Sequence, residues 1–106
     1  SFGIYLPEET GKTIVFRTSQ TEAGFLRDLP IHSSQKELKG KELREVLQDG
    51  DNPDDVYFSI FVCPNENLIM EFCKFAGRVE VLSPDSVRKA VAEQLRKAIE
   101  QYSQNT

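Results

Sequence analysis

The eight residues at 56–63, Val-Tyr-Phe-Ser-Ile-Phe-Val-Cys, constrain the fold of this chain more than any other stretch. β-Branched and aromatic residues fill the run, so it extends as a strand whose side chains alternate between two faces. Val56, Phe58, Ile60 and Val62 share one face, and Tyr57, Ser59, Phe61 and Cys63 share the other. Both faces are largely apolar, which places this strand centrally in a sheet.

The neighbours of that strand follow from their own local signals. Residues 12–17, Lys-Thr-Ile-Val-Phe-Arg, come after the turn-like 7–11 and read as a first strand. Ser19 and Glu22 form a capping box that opens a short helix carrying Ala23, Phe25, Leu26 and Leu29, which Pro30 ends. Residues 31–38 read as a second, more polar strand. The charged stretch 39–55 contains Gly40, Gly50 and Pro53, and its Leu43, Val46 and Leu47 fit either one turn of helix or an irregular hairpin. Asn65 caps a second helix over 66–76, whose Leu68, Ile69, Phe72, Cys73, Phe75 and Ala76 make a broad buried face. Gly77 closes that helix in a left-handed turn.

The final stretch is a strand, a stop and a helix. Val79 and Val81 alternate with Arg78 and Glu80 as in a half-buried strand. Ser83 caps the last helix, Pro84 is tolerated where no amide is needed, and Asp85 lies near the positive end of the dipole. Val87, Val91, Leu95, Ala98, Ile99 and Tyr102 then form one stripe at spacings of three and four.

The order β-α-β-β-α-β-α is the ferredoxin-like split βαβ sandwich of the α+β class with an added C-terminal helix. Two crossover helices should cover one sheet face, over Ile14, Phe16, Phe58, Ile60, Val79 and Val81. Val15, Arg17, Tyr57, Ser59, Phe61, Arg78 and Glu80 are then left on the second.

Composition narrows the function. A chain of 106 residues, 39% hydrophobic and 28% charged, is expected to be a single domain that buries roughly 65% of its unfolded surface. A net charge of −4 and a pI near 5.0 argue against a self-sufficient DNA-binding module. Cys63 and Cys73 sit in apolar contexts, and with one histidine the soft ligands are too few for zinc; no metal and no cofactor is expected. The apolar runs are too short to cross a bilayer and the first residues lack a signal-peptide pattern, so a cytoplasmic protein without a membrane partner is expected. The opening Ser1-Phe2-Gly3-Ile4-Tyr5, without an initiator methionine, reads as a domain cut from a longer polypeptide.

Three segments in order resemble one family. The tail Phe75-Ala76-Gly77-Arg78-Val79-Glu80-Val81-Leu82-Ser83-Pro84, with Val87-Arg88 and Tyr102, is similar to the end of the bacterial WYL-domain transcriptional regulators. Leu29-Pro30-Ile31-His32-Ser33-Ser34-Gln35 resembles the short motif after the first helix of their C-terminal extension, the WCX domain. Phe2-Gly3-Ile4 resembles the link into it, so that residues 1–11 would be linker. The Trp-Tyr-Leu motif and any helix-turn-helix are absent from this sequence. The resemblance implies a ferredoxin-like extension that follows a WYL domain and a DNA-binding helix-turn-helix domain in the same chain. It also implies a non-enzymatic regulatory role in effector sensing, in homodimerisation, or in both.

Two clusters are candidate contacts. His32, Ser34 and Gln35 would meet a ligand, the WYL domain or a second subunit. The alternative is that they satisfy backbone groups after the Pro30 break. Arg17, Tyr57, Phe61 and Arg78 could stack and pair a nucleotide or single-stranded nucleic acid on an open sheet, as a small ligand-binding enzyme subunit or a direct nucleic-acid binder would. The alternative is that the face is covered, by the C-terminal helix or a neighbouring subunit, with Tyr57 and Phe61 buried. As a contact residue, Arg17 should be dispensable for folding. Arg88, Lys89, Arg96 and Lys97 interleave with Glu93 and Glu100 as a solvated face, and Asp49, Asp51, Asp54 and Asp55 read as a charged turn. No catalytic residue is identified.

Overall fold

A computed structural model describes residues 10–104; the resemblance at Phe2-Gly3-Ile4 and most of the expected linker lie outside them. The elements are β1 (Lys12–Thr18), α1 (Gln20–Asp28), β2 (Lys36–Glu37), α2 (Gly40–Val46), β3 (Val56–Val62), α3 (Glu66–Lys74), a 3-10 turn (Ala76–Arg78), β4 (Val79–Ser83) and α4 (Asp85–Gln104). The four strands lie in the order β2-β3-β1-β4 and pair antiparallel throughout. This is the ferredoxin-like sandwich, with α4 added.

The long central pair sets the register. β1 and β3 match over seven positions from Lys12 opposite Val62 to Thr18 opposite Val56. Because the side-chain period is two, that register puts Ile14, Phe16, Phe58 and Ile60 on one face, where Val79 and Val81 of β4 join them. Ala23 and Leu26 of α1, Ile69 and Phe72 of α3, and Val87, Ala90 and Val91 of α4 close over that face as one core. Phe16 lies at its centre, stacked on Phe58 at 5.7 Å and meeting Phe72 edge-on at 5.4 Å. Two helix starts follow their sequence signals: the Ser19 hydroxyl accepts from the Glu22 amide at 3.2 Å, and the Asn65 side chain accepts from the Leu68 amide at 2.9 Å.

Several local expectations need correction. The second strand is only Lys36–Glu37; residues 31–35 form a turn instead, closed by the Gln35 amide on the His32 carbonyl at 2.9 Å. Side chains that bond the nearby backbone compete with a strand ladder, and this segment has two of them, His32 on the Ser34 amide and Gln35 on the Ile31 amide. Of the two options for 39–55, the helix forms, as α2. Ser83 remains in β4, opposite Val15, and the Pro84 carbonyl takes the first amides of α4, those of Val87 and Arg88. At the end of α3 the left-handed residue is Ala76, at φ +51°, one position before the expected glycine. Arg78 holds that turn, bonding the Phe75 carbonyl through Nε and lying 5.9 Å from the Phe75 ring centroid.

Burial also departs from the helical stripes. Cys63 and Ala76, read as strand and buried-helix positions, are exposed. In α4 the stripe is buried only as far as Val91; Leu95 is partly buried, whereas Ile99 and Tyr102 are 65% and 73% exposed. A 20-residue helix runs about 30 Å, longer than the layer beneath it.

Candidate functional site

The second sheet face is not open. α2 crosses it, and its half-buried Leu43 and Val46 join Leu82 against a small cluster of Val15, Leu38 and Tyr57. The face is therefore covered, though by α2 rather than by the C-terminal helix. Tyr57 is 2% exposed beneath this cover, while Phe61, farther along β3, is 59% exposed and lays its ring over Gly11. A Cβ at Gly11 would meet that ring at 2.5 Å, so any other residue there would push the exposed Phe61 ring aside.

Beside the cluster lies a cleft of about 530 Å³ whose floor is an ion network. The β1–β4 register sets Arg17 directly opposite Glu80. The Arg17 guanidinium donates to Glu80 Oε1 from Nε at 3.2 Å and Nη2 at 3.0 Å, and to Asp51 Oδ1 from Nη1 at 3.1 Å. The Tyr57 hydroxyl donates to Asp51 Oδ2 at 2.7 Å, and the Gln48 amide to the same oxygen at 2.9 Å. Arg88, at the start of α4, joins Glu80 Oε2 at 2.7 Å to the Val81 carbonyl at 2.8 Å. Two arginines thus meet two carboxylates, and the network is neutral within itself.

These contacts shift the titrating groups. The Gln48 amide, then the Tyr57 hydroxyl and Arg17, hold Asp51 below the usual carboxylate range. Arg88 and then Arg17 do the same for Glu80. Burial pushes the Tyr57 phenol up. Every guanidinium nitrogen of Arg17 is engaged by this network. With the weaker bond of Nη1 to the Tyr57 hydroxyl at 3.4 Å, these contacts take four of its five N–H groups.

The motif at 29–35 is organised around backbone groups. Ser34 Oγ accepts from the Phe61 amide at 2.8 Å and lies 3.2 Å from the Phe61 carbonyl, fastening the turn to the end of β3. His32 Nδ1 accepts from the Ser34 amide at 3.0 Å and sits 2.7 Å from the Ser34 hydroxyl. Gln35 Nε2 donates to the Leu26 carbonyl at 2.9 Å, and its Oε1 accepts from the Ile31 amide at 2.9 Å. Gln35 therefore ties the end of α1 to the turn, the backbone-satisfying role considered from the sequence.

The structure brings Arg17 and Tyr57 together and sets His32 and Ser34 against the Phe61 backbone. Arg78 is elsewhere: it belongs to the 3-10 turn beside α1, with Nε 3.9 Å from Glu22 Oε1. Asp51 and Arg88 were read as a charged turn and a solvated face, yet both complete the Arg17 network. The alternation that put Arg17, Tyr57 and Glu80 on one face was the sequence signal for this set. Among the described residues no group of three or more His, Cys, Asp or Glu is placed to hold a metal ion, and no helix is long and apolar enough to cross a membrane.

No curated protein matches this chain. The family model of the WCX domain does match, over residues 11–99. That span runs from the glycine under Phe61 through the Gln35 turn and the Arg17 network into the outer half of α4. The chain belongs to the WCX domain family, whose domains are associated with regulation and are not a known family of enzymes.

Proposed function

We propose that this domain is a non-catalytic regulatory module of a bacterial DNA-binding transcriptional regulator, following a WYL domain and a helix-turn-helix domain in the full chain, and that it makes the contact between subunits. One observation carries the contact: the outer turns of α4 hold Ile99 and Tyr102 at 65% and 73% exposure, in line with the buried Val87 and Val91. Leu95, Ala98 and Tyr102 continue the spacing of a helix-pairing seam beyond the domain's own core. Arg96 pairs with Glu93 and Glu100 beside that seam, so the flanking charge is of both signs and suits a second copy of the same helix. DNA contact would belong to the upstream domain, in keeping with the net charge of −4 here. Effector sensing then means a shift in how two such modules sit.

The test is the mass of the full-length regulator by light scattering, with and without the pair Ile99→Glu and Tyr102→Glu. The reading expects a dimer that becomes monomeric, with its secondary structure and cooperative unfolding retained and its operator binding weakened. A variant that stays dimeric refutes it.

A further inference from the structure

We infer that residues 40–50 form a hinged lid over the second sheet face, opening as a unit while the sheet stays folded, with the Asp51 carboxylate as its latch. This goes beyond the subunit-contact reading and does not depend on it.

Four independent features isolate this segment. α2 has no buried residue, and its N-cap position, Lys39, makes no side-chain hydrogen bond. A seven-residue helix of that kind has little stability of its own. Glycines in the left-handed region flank it, Gly40 at φ +56° and Gly50 at φ +89°, and a Cβ at either position would meet no neighbour. They are glycines for their backbone angles alone, which suits hinges. Finally, α2 stands as a ridge between two clefts, of about 410 and 530 Å³, that share Val15, Glu45 and Val46 as their common wall. Its apolar footing on the sheet is Leu43 and Val46, beside one exposed ion pair from Glu42 to Lys36 of β2 at 2.7 Å.

The far end is fixed. Asp51 is bound to the sheet through Arg17 and Tyr57, and Gln20 Nε2 holds the Asp54 carbonyl at 2.8 Å. The ties from this anchor to the lid are the Gln48 amide on Asp51 Oδ2 at 2.9 Å and the Asp51 amide on the Gln48 carbonyl at 3.1 Å. Breaking the carboxylate tie, parting Glu42 from Lys36 and lifting Leu43 and Val46 would merge the two clefts into one trough along the face. Tyr57 would be uncovered, while Arg17 would keep both of its carboxylates, Glu80 on β4 and Asp51 at the fixed end.

Amide hydrogen exchange of the whole chain at constant pH and temperature tests the lid. Amides inside the segment, such as Leu47 on the Leu43 carbonyl, should share one opening rate and exchange at least about 100-fold faster than those of β1 and β3. Asp51→Ala should speed exchange across 40–50 by a common factor of about ten and leave β1 and β3 as a separate unit that still exchanges more slowly. Val46→Ser, which removes part of the footing without touching the network, should do the same and serves if Asp51→Ala fails to fold. Exchange of 40–50 only together with β3, or graded rates that rise toward one end as in fraying, would overturn the proposal.

Discussion

Replacing Arg17 by alanine separates a ligand-contact residue from a structural one. In the structure Arg17 joins β1 to Glu80 of β4 and to Asp51 of the loop after α2, and its side chain is 25% exposed. Truncation removes the charge-assisted bonds of one guanidinium to two carboxylates. It orphans neither, because Glu80 keeps Arg88 at 2.7 Å and Asp51 keeps the Tyr57 hydroxyl and the Gln48 amide. The loss should therefore stay below the roughly 3–5 kcal/mol of a stranded buried charge. It should exceed the few tenths of an exposed pair, at about 1–2 kcal/mol, since the site is only partly screened. For a domain of this size that is a melting temperature about 5–12 °C lower. Calorimetry at neutral pH reads it directly, and Arg17→Lys should recover only part, because an ammonium restores the charge but not the fork. A melting temperature within about 2 °C of the parent would refute the argument and return Arg17 to the role of a free contact residue.

Three further outcomes follow from the same geometry. Asp51, Glu80 and Glu37 are all held below the usual carboxylate range, so their stabilisation is complete above the unfolded pKa values, near 3.8 and 4.5, and is lost as pH falls through the lower folded ones; urea midpoints should be flat from pH 7 to about 5 and fall below about 4. Gln35→Ala frees the Leu26 carbonyl and the Ile31 amide together and should lower stability by about 1–2 kcal/mol in denaturant unfolding, whereas His32→Ala, at an exposed position, should cost less than about half of that. Gln94 Nε2 is buried without a hydrogen-bond partner, so Gln94→Met should be neutral or raise the melting temperature, by at most about 8 °C.

The seven-residue β1–β3 pair and the order of elements were legible because a two-residue alternation, two side-chain caps and the breaks at Pro30 and Gly77 are local signals. The core under α1 and α3 followed once the strand register was known, since every second residue had to point the same way. Arg17, Tyr57 and Glu80 could be put on one face for the same reason, and that was as much of the candidate site as the sequence held. Asp51 reaches Arg17 across 34 positions of chain and Arg88 reaches Glu80 around the turn from β4 into α4, and no strand or helix period links either pair. Whether Gln35 meets a ligand or a carbonyl depends on where α1 ends in space.

By itself, then, the sequence determined the alternation of strands and helices, the sandwich they make and the residues of its main core, because hydrophobic period and capping act within a few residues. Only the tertiary structure decided that α2 crosses the second face, that the Arg17 guanidinium is spent on two carboxylates, and that the stripe of α4 outruns its own domain. Each of those depends on which distant groups compete for one charge or one patch of apolar surface, and that competition exists only once the chain has folded.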